Sequence, residues 1–364
     1  MRKKIVGMLT TATLLTMALA GNVQAAEIRS VGPDGEAAVD ASTIELTDDQ
    51  IAQIKEGGYT AAICLHYGGN DWSTSQQKGL EDTFGELGIE IVAVTDANFS
   101  AETQVSNIET VMAKKPDILV SIPTDATATA DAYKQAAAAG IKIVFMDQRA
   151  NGLEAGKDYV SVVSADNYGN GYASGTVLGD ALGGKGKVAM VYYDANFAPT
   201  NQRDEGFRDA MKNYPDIEIV TEQGFTDESG CAEQGDAILT QFPNIDGIYA
   251  SWDVPMEGVL SAVRAAGMEG KVTLACNDLG NNVAREIASG NIAGGGAQMP
   301  YDQGVAEAKL AALALLGEET PSYVAVPAET VTHENVLEAY TDVYHVETPD
   351  LSLIHISEPT RLAL

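Results

Sequence analysis

Leu65-His66-Tyr67-Gly68-Gly69-Asn70-Asp71-Trp72-Ser73 stands between an apolar run, Tyr59 to Cys64, and a stretch from Thr74 to Leu87 that carries Leu80, Phe84 and Leu87 at helical spacing. The run before it predicts a buried strand and the stretch after it a helix. The polar cluster therefore sits on a strand-to-helix turn at the carboxyl end of the strand, where open α/β sheets bind ligands. Imidazole, amide, carboxylate and indole on one turn offer donors, acceptors and a flat apolar face together. Those are the needs of a carbohydrate, whose hydroxyls want hydrogen bonds and whose C–H faces want an aromatic ring.

The same rhythm continues outward from this turn. Ala61–Leu65, Ile89–Val94, Ile118–Ile122 and Ile141–Met146 read as strands separated by helices over Thr74–Leu87, Glu102–Lys114 and Thr127–Ala139. Tyr159–Ala165 adds a strand. A second series follows, with strands at Val188–Tyr193, Ile217–Thr221, Gly247–Ser251, Val272–Ala275 and Ile292–Gln298, and helices at Arg203–Asn213, Ala232–Gln241, Pro255–Ala266 and Val283–Ser289. Such alternation predicts an α/β fold of two doubly wound, Rossmann-like lobes with parallel strands. Tyr301–Leu316 reads as a helix, Tyr323–Val326 and Thr330–Thr332 as short strands and Glu334–Tyr340 as a last helix, so the chain is expected to cross between lobes several times.

The ends read differently. Met1-Arg2-Lys3-Lys4, an apolar core from Ile5 to Leu19 and Val23-Gln24-Ala25 predict a secretory signal peptide over 1–25, with no Cys near the cut to carry a lipid. Residues 26–58 form an extension whose Gly, Pro, Ala and charge predict poor order over 26–44, followed by a short helix opened by the capping box Thr47-x-x-Gln50. The lobes are expected to be 59–165 plus about 299–328, and 166–298 plus about 329–350. Leu351–Leu364 lacks the βα rhythm and reads as a non-native tail.

With 52 acidic and 22 basic residues the formal charge is −30, which opposes binding to nucleic acid and to anionic membrane. Cys64, Cys231 and Cys276 fall in apolar or helical runs, so buried thiols are expected rather than a disulfide framework. His66, His333, His345 and His355 show no metal-ligand spacing. Gly169-Asn170-Gly171-Tyr172-Ala173-Ser174-Gly175 imitates a dinucleotide loop but has Ser174 where the third glycine belongs. No phosphate loop or nucleophile elbow occurs either, so the sequence predicts no cofactor, no metal and no enzyme. What does recur is polar residues at strand ends: Asp147-Gln148-Arg149, Asp166-Asn167, Trp252-Asp253, Asn277-Asp278 and Gln298, with Asn201-Gln202-Arg203 opening a helix. Each alone is an ordinary cap or turn. At corresponding positions in two facing lobes they describe a polar cleft walled by Trp72 and Trp252.

On these motifs, with Ile122-Pro123-Thr124-Asp125, Arg203-Asp204-Glu205-Gly206-Phe207 and Gln298-Met299-Pro300, the body from about Tyr59 to Tyr340 resembles the type I periplasmic sugar-binding proteins of ABC transporters, the ribose-binding-protein group. The resemblance implies a ligand held between two lobes joined by three strands. It places contacts on His66, Asn70, Trp72, Asp147, Gln148, Arg203, Trp252, Asn277, Asp278 and Gln298, with Asp147 and Trp72 at the ends of neighbouring strands. In the ribose binders Asp-Arg stands at Asp147-Gln148, two Phe at Trp72-Ser73, a small hydroxyl residue at His66 and Asn at Trp252. The implied ligand class is accordingly a pentose, hexose or sugar alcohol. The implied role is a monomeric periplasmic receptor that serves an inner-membrane ABC permease. The alternative is a signalling or chemotaxis receptor for a sugar or an autoinducer-2-like ligand.

Overall fold

In the computed structural model, which describes residues 27–348, the chain opens with strand β1 (Val39–Asp40) and helix α1 (Asp48–Gly57). The expected capping box is present: Thr47 Oγ1 accepts from Gln50 N at 3.3 Å, and Gln50 Oε1 accepts from Thr47 N at 2.9 Å. The first lobe then runs β2 (Thr60–Leu65), α2 (Asp71–Glu86), β3 (Glu90–Asp96), α3 (Ala101–Lys114), β4 (Ile118–Ser121), α4 (Ala130–Ala138), β5 (Lys142–Met146) and β6 (Ser161–Ala165). After a crossing come α5 (Asn167–Ala181), β7 (Lys185–Tyr193), α6 (Ala198–Met211), β8 (Asp216–Phe225), α7 (Cys231–Gln241), β9 (Gly247–Ala250) and α8 (Asp253–Ala265). The second sheet is completed by β10 (Thr273–Cys276), α9 (Asn281–Ala288) and β11 (Gly294–Ala297). Helix α10 (Pro300–Leu315) and β12 (Tyr323–Val326) return to the first lobe, and β13 (Glu329–Thr332) and α11 (Val336–Tyr344) to the second.

Strand order is β1-β12-β6-β5-β4-β2-β3 in the first sheet, all parallel. In the second it is β13-β11-β10-β9-β7-β8, with only β13 antiparallel. The chain thus passes between sheets three times: β6 to α5, β11 to α10 and β12 to β13. Strand β4 lies between β2 and β5, so Trp72 and Asp147 do not follow neighbouring strands as the sequence suggested.

Parallel strands covered on both faces need apolar side chains on both, which is why β2 reads as a continuous run. Ala61, Ile63 and Leu65 join a core with Leu80, Phe84 and Leu310, while Ala62 and Cys64 face Ile108, Val111 and Tyr133. Each fully buried aliphatic or aromatic side chain contributes about 1.5–3 kcal/mol. The three cysteines are free and buried, and burial pushes the Cys64 thiol up to about 11.

The glycine motif at 169–175 lies within α5, where its glycines let two helices touch: a Cβ on Gly171 would lie 1.8 Å from Arg203 O, and one on Gly206 2.1 Å from Tyr168 O. One expectation, poor order over 26–44, needs correction. Residues 27–44 are built into the fold. Asp166 accepts from Arg29 N (3.0 Å) and Ser30 N (2.8 Å), Arg149 pairs with Asp34 at 2.6 Å, Gln202 Nε2 donates to Val31 O at 3.2 Å, and β1 extends the first sheet. The order comes from partners more than a hundred residues away, which local composition does not display. The expected signal peptide and the tail 351–364 lie outside the described residues.

Candidate functional site

The quoted turn becomes the N-terminus of α2. Asn70 caps the helix, its Oδ1 accepting from Ser73 N at 2.8 Å, so Asp71 and Trp72 sit in the first helical turn rather than before the helix. The cap directs His66, Tyr67, Asn70 and Trp72 toward a cavity between the lobes. The carboxyl ends of the other strands supply the rest: Phe99 after β3, Ile122 after β4, Asp147 after β5, Tyr193 at the end of β7, Trp252 after β9, Asp278 after β10 and Gln298 after β11. The first turns of α6 add Phe197, Pro199, Thr200 and Arg203.

Asp147 and Asp278 occupy matching positions in the two lobes. Both have left-handed backbones, φ 54° and 67°, and each donates its N–H to the neighbouring strand, to Val163 O at 2.7 Å and Gly296 O at 2.9 Å. Such conformations cost of order 1–3 kcal/mol and collect at ligand sites. Between the two carboxylates lies Arg203, 5% exposed. Its Nη1 donates to Asp278 Oδ2 at 3.1 Å and its Nε to Asn167 Oδ1 at 2.8 Å. Asn167 Nδ2 donates to Ser164 Oγ (2.9 Å), and Ser164 donates to Asp147 Oδ1 (2.8 Å). One hydrogen-bonded chain therefore links a carboxylate of each lobe through the residues of the first crossing. Gln298 Nε2 donates to Asp278 Oδ1 (2.8 Å) and Gln303 Nε2 to Asp147 Oδ1 (3.3 Å).

Burial raises the Asp147 carboxyl above its ordinary value, against the lowering influence of Ser164 and Arg203. Burial also opposes the Arg203 charge, but the carboxylates of Asp278 and Asp147 outweigh it and hold the guanidinium protonated. His66, 4% exposed, is pushed down to about 3 by burial and is a neutral imidazole. Its Nδ1, Trp72 Nε1 and Gln298 Oε1 are buried without a protein partner among the described residues. A buried polar atom left unpaired costs about 1–3 kcal/mol, so these three are places where a ligand's hydroxyls gain most.

The mouth of the cavity is aromatic. His66 stacks on Phe197 across the lobes at 5.7 Å, Tyr67 stacks on Phe99 at 4.2 Å, and Tyr193 meets Trp252 edge-on at 5.6 Å. Trp252 Nε1 donates to Glu228 Oε1 at 2.9 Å, and Tyr67 OH reaches the same oxygen at 3.4 Å from the opposite lobe. Asn70 Nδ2 donates to Tyr67 OH. Beside the mouth, Asp71 Oδ2 of α2 accepts from Asn281 N at the start of α9, 2.7 Å away, a further contact between lobes.

Of the ten residues named from sequence, eight line the cavity: His66, Asn70, Trp72, Asp147, Arg203, Trp252, Asp278 and Gln298. Gln148 and Asn277 do not. Gln148 turns away, its Nε2 donating to Pro123 O (2.8 Å) and its Oε1 accepting from Ala198 N (3.3 Å). Asn277 lies in the interior, bonded to Tyr249 OH (2.8 Å), Ser251 O (3.1 Å) and Ser174 Oγ (2.7 Å). Trp72 is part of the first lobe's core as well as of the wall. The sequence reading passed over Tyr67, Phe99, Tyr193, Phe197 and Thr200.

The periplasmic binding protein domain model matches residues 61–319. Among curated proteins the chain is similar to the D-ribose/D-allose-binding protein of Pseudomonas aeruginosa, 29% identical over 273 residues that cover 72% of this chain and 83% of the relative. It is also similar to the ribose import binding protein of Salmonella typhimurium, 24% identical over 272 residues, 75% and 90% of the two chains. Among solved structures it resembles an ABC transporter solute-binding protein of Agrobacterium vitis bound with α-D-tagatopyranose, with TM-score 0.73 and 26% identity over 79% of this chain and 98% of that one. A periplasmic solute-binding protein of Actinobacillus succinogenes with bound D-allose gives TM-score 0.71 and 29% identity over 76% and 99%. The family model spans most of the described chain and the two sheets match those of the solved neighbours, so the chain belongs to the periplasmic binding protein family, as its motifs implied.

Proposed function

We propose that this chain is a monomeric, non-enzymatic solute receptor that captures one small sugar or sugar alcohol in the periplasm and delivers it to an ABC permease. In this reading residues 1–25 are a cleaved leader and the lobes divide at 59–165 plus about 299–328 and 166–298 plus about 329–350. The observation that carries it is the pair of left-handed aspartates, one per lobe, joined through Arg203 at the floor of an aromatic-walled cavity. Paired carboxylates and a guanidinium form charge-assisted bonds to adjacent hydroxyls, and ring faces receive the C–H face of the sugar. The relatives, named for ribose, allose and tagatopyranose, favour import of a sugar over signalling.

A thermal-shift screen of the mature protein against sugars and polyols tests this. A ligand at a hundred times its Kd adds about 2.7 kcal/mol of stability. Calorimetric titration of the best ligand then compares the parent with Asp147→Asn, chosen because asparagine tolerates the left-handed backbone that Asp147 adopts. Binding is expected to weaken about tenfold to a hundredfold, since a charge-assisted bond becomes a neutral one. A panel without any shift, or a folded Asp147→Asn that binds like the parent, would refute the assignment.

A further inference from the structure

Residues 28–38 precede the part of the chain that the family model matches, 61–319, yet they are bonded on both sides of the first crossing. On the first lobe, Ile28 and Ala38 pack against the core that holds Tyr159 and Tyr323, β1 directly after them pairs with β12, and Arg149 grips Asp34 with two bonds of 2.6 and 2.9 Å. On the second lobe, Tyr168 N donates to Ser30 Oγ at 2.9 Å, the Arg29 guanidinium lies over the Tyr172 ring at 4.1 Å, and Gln202 Nε2 of α6 donates to Val31 O at 3.2 Å. Between these anchorages Asp166, at the crossing itself, accepts from Arg29 N and Ser30 N. The segment is not slack. Val31 bridges antiparallel to Ala37, Gly32 N donates to Glu36 O at 2.8 Å and Gly35 N to Gly32 O at 2.9 Å, so residues 31–37 fold into a closed turn.

These bonds are all made at the one rotation at which the lobes also touch across the cavity, His66 on Phe197 and Asp71 on Asn281. Opening the cleft carries α5 and α6 away from an anchorage fixed to the first lobe, so Tyr172 and Gln202 must release Arg29 and Val31. We infer that residues 28–34 are a strap across the hinge that favours the closed rotation and, resting on the sugar-receptor reading, slows escape of the ligand. A cation over a ring and a hydrogen bond to a backbone carbonyl are each modest. Acting on one two-state rotation, they shift its populations together.

The double variant Arg29→Ser with Gln202→Ala removes the two side chains that tie the strap to the second lobe. Arg29 is exposed and Gln202 half-buried, so the variant should fold and melt close to the parent. Small-angle X-ray scattering of the unliganded mature protein reads the rotation without any ligand. The double variant is expected to have the larger radius of gyration, and Arg29→Lys, which keeps a cation for the Tyr172 ring, the parent's. Stopped-flow measurements with the best sugar or polyol from the screen should show release faster by about threefold to thirtyfold, with association changed less. An unchanged radius of gyration overturns the strap whatever the ligand does, and a larger one with the parent's release rate overturns its part in retention. Should the double variant not fold, Gln202→Ala alone carries the same test. If no sugar or polyol binds, the receptor reading fails and the scattering alone decides the strap.

Discussion

Arg203→Met removes a guanidinium that four groups share. The side chain is 5% exposed, donates to Asn167 Oδ1 (2.8 Å), Asp278 Oδ2 (3.1 Å) and Ser251 O (3.3 Å), and offsets the nearby charge of Asp147. Methionine fills much of the same volume, so the loss is electrostatic rather than a cavity. Breaking a buried ion pair by removing one partner costs about 3–5 kcal/mol, because the other charge stays behind. Against a total stability of roughly 5–15 kcal/mol the variant should fold, with its urea midpoint lowered by about 1–1.7 M for a slope near 3 kcal/mol/M. The loss should also depend on pH. Burial already raises Asp147 above its unfolded value, and Arg203 is one of the influences that lower it, so the variant raises it further. The native form then holds more protons than the unfolded chain between those two values, and stability falls as pH rises through that window. Urea melts followed by circular dichroism should show a smaller deficit at pH 5 than at pH 8. A loss under about 1 kcal/mol at pH 8, or a deficit that grows on acidification, would refute the argument.

Two further outcomes test the frame around the site. Asp166→Ala strands three backbone donors, Arg29 N, Ser30 N and Gly169 N, at 3.0, 2.8 and 2.9 Å. It should lose about 3–5 kcal/mol and release residues 27–38 to limited proteolysis, and digestion at the parent's rate would count against it. Gly206→Ala places a Cβ 2.1 Å from Tyr168 O and 2.9 Å from Tyr172 N, so α5 and α6 must part. A loss of more than about 2 kcal/mol is expected, along with weaker ligand binding because Arg203 rides on α6. Gly85→Ala, on exposed α2 surface with nothing within 4 Å of the added Cβ, should instead gain about 0.5–1 kcal/mol.

Most of the fold was legible because each structural rule acts locally. Buried parallel strands must be apolar on both faces, and helices must begin at residues such as Thr47, Asn70, Ser100 and Asp166, whose side chains accept from their first turns. The first lobe's last strand and the N-terminal segment show where locality stops. β12 was visible as a strand, but its place between β1 and β6 is a long-range fact. The polar half of the site was readable for the same reason, since polar residues at the ends of apolar strands stand out. Phe99, Tyr193 and Phe197 did not, because an aromatic at a strand end has the same sequence signature as one in the core. Gln148 and Asn277 were carried along by adjacency to Asp147 and Asp278. A left-handed residue turns the backbone sharply, so its neighbour faces another direction, and no residue type announces that turn when the residue is Asp rather than Gly.

The two lobes repeat one device, an aspartate held in left-handed geometry where a strand ends, and a single arginine breaks the symmetry between them. Arg203 belongs to the second lobe, yet its hydrogen bonds pass through Asn167 and Ser164, on either side of the first crossing, to the first lobe's Asp147. Asp166, between those two residues, holds the N-terminal segment and caps α5. Rotating one lobe about this crossing must therefore strain the bonds that orient both carboxylates. A ligand that fixes Asp147 and Asp278 at one separation in turn favours one rotation. A ligand shifts such an equilibrium only by the difference in its affinity for the two states. Under the proposed receptor reading that difference follows from the fold, because the residues of the first crossing and the two carboxylates proposed to hold the ligand share one hydrogen-bond chain.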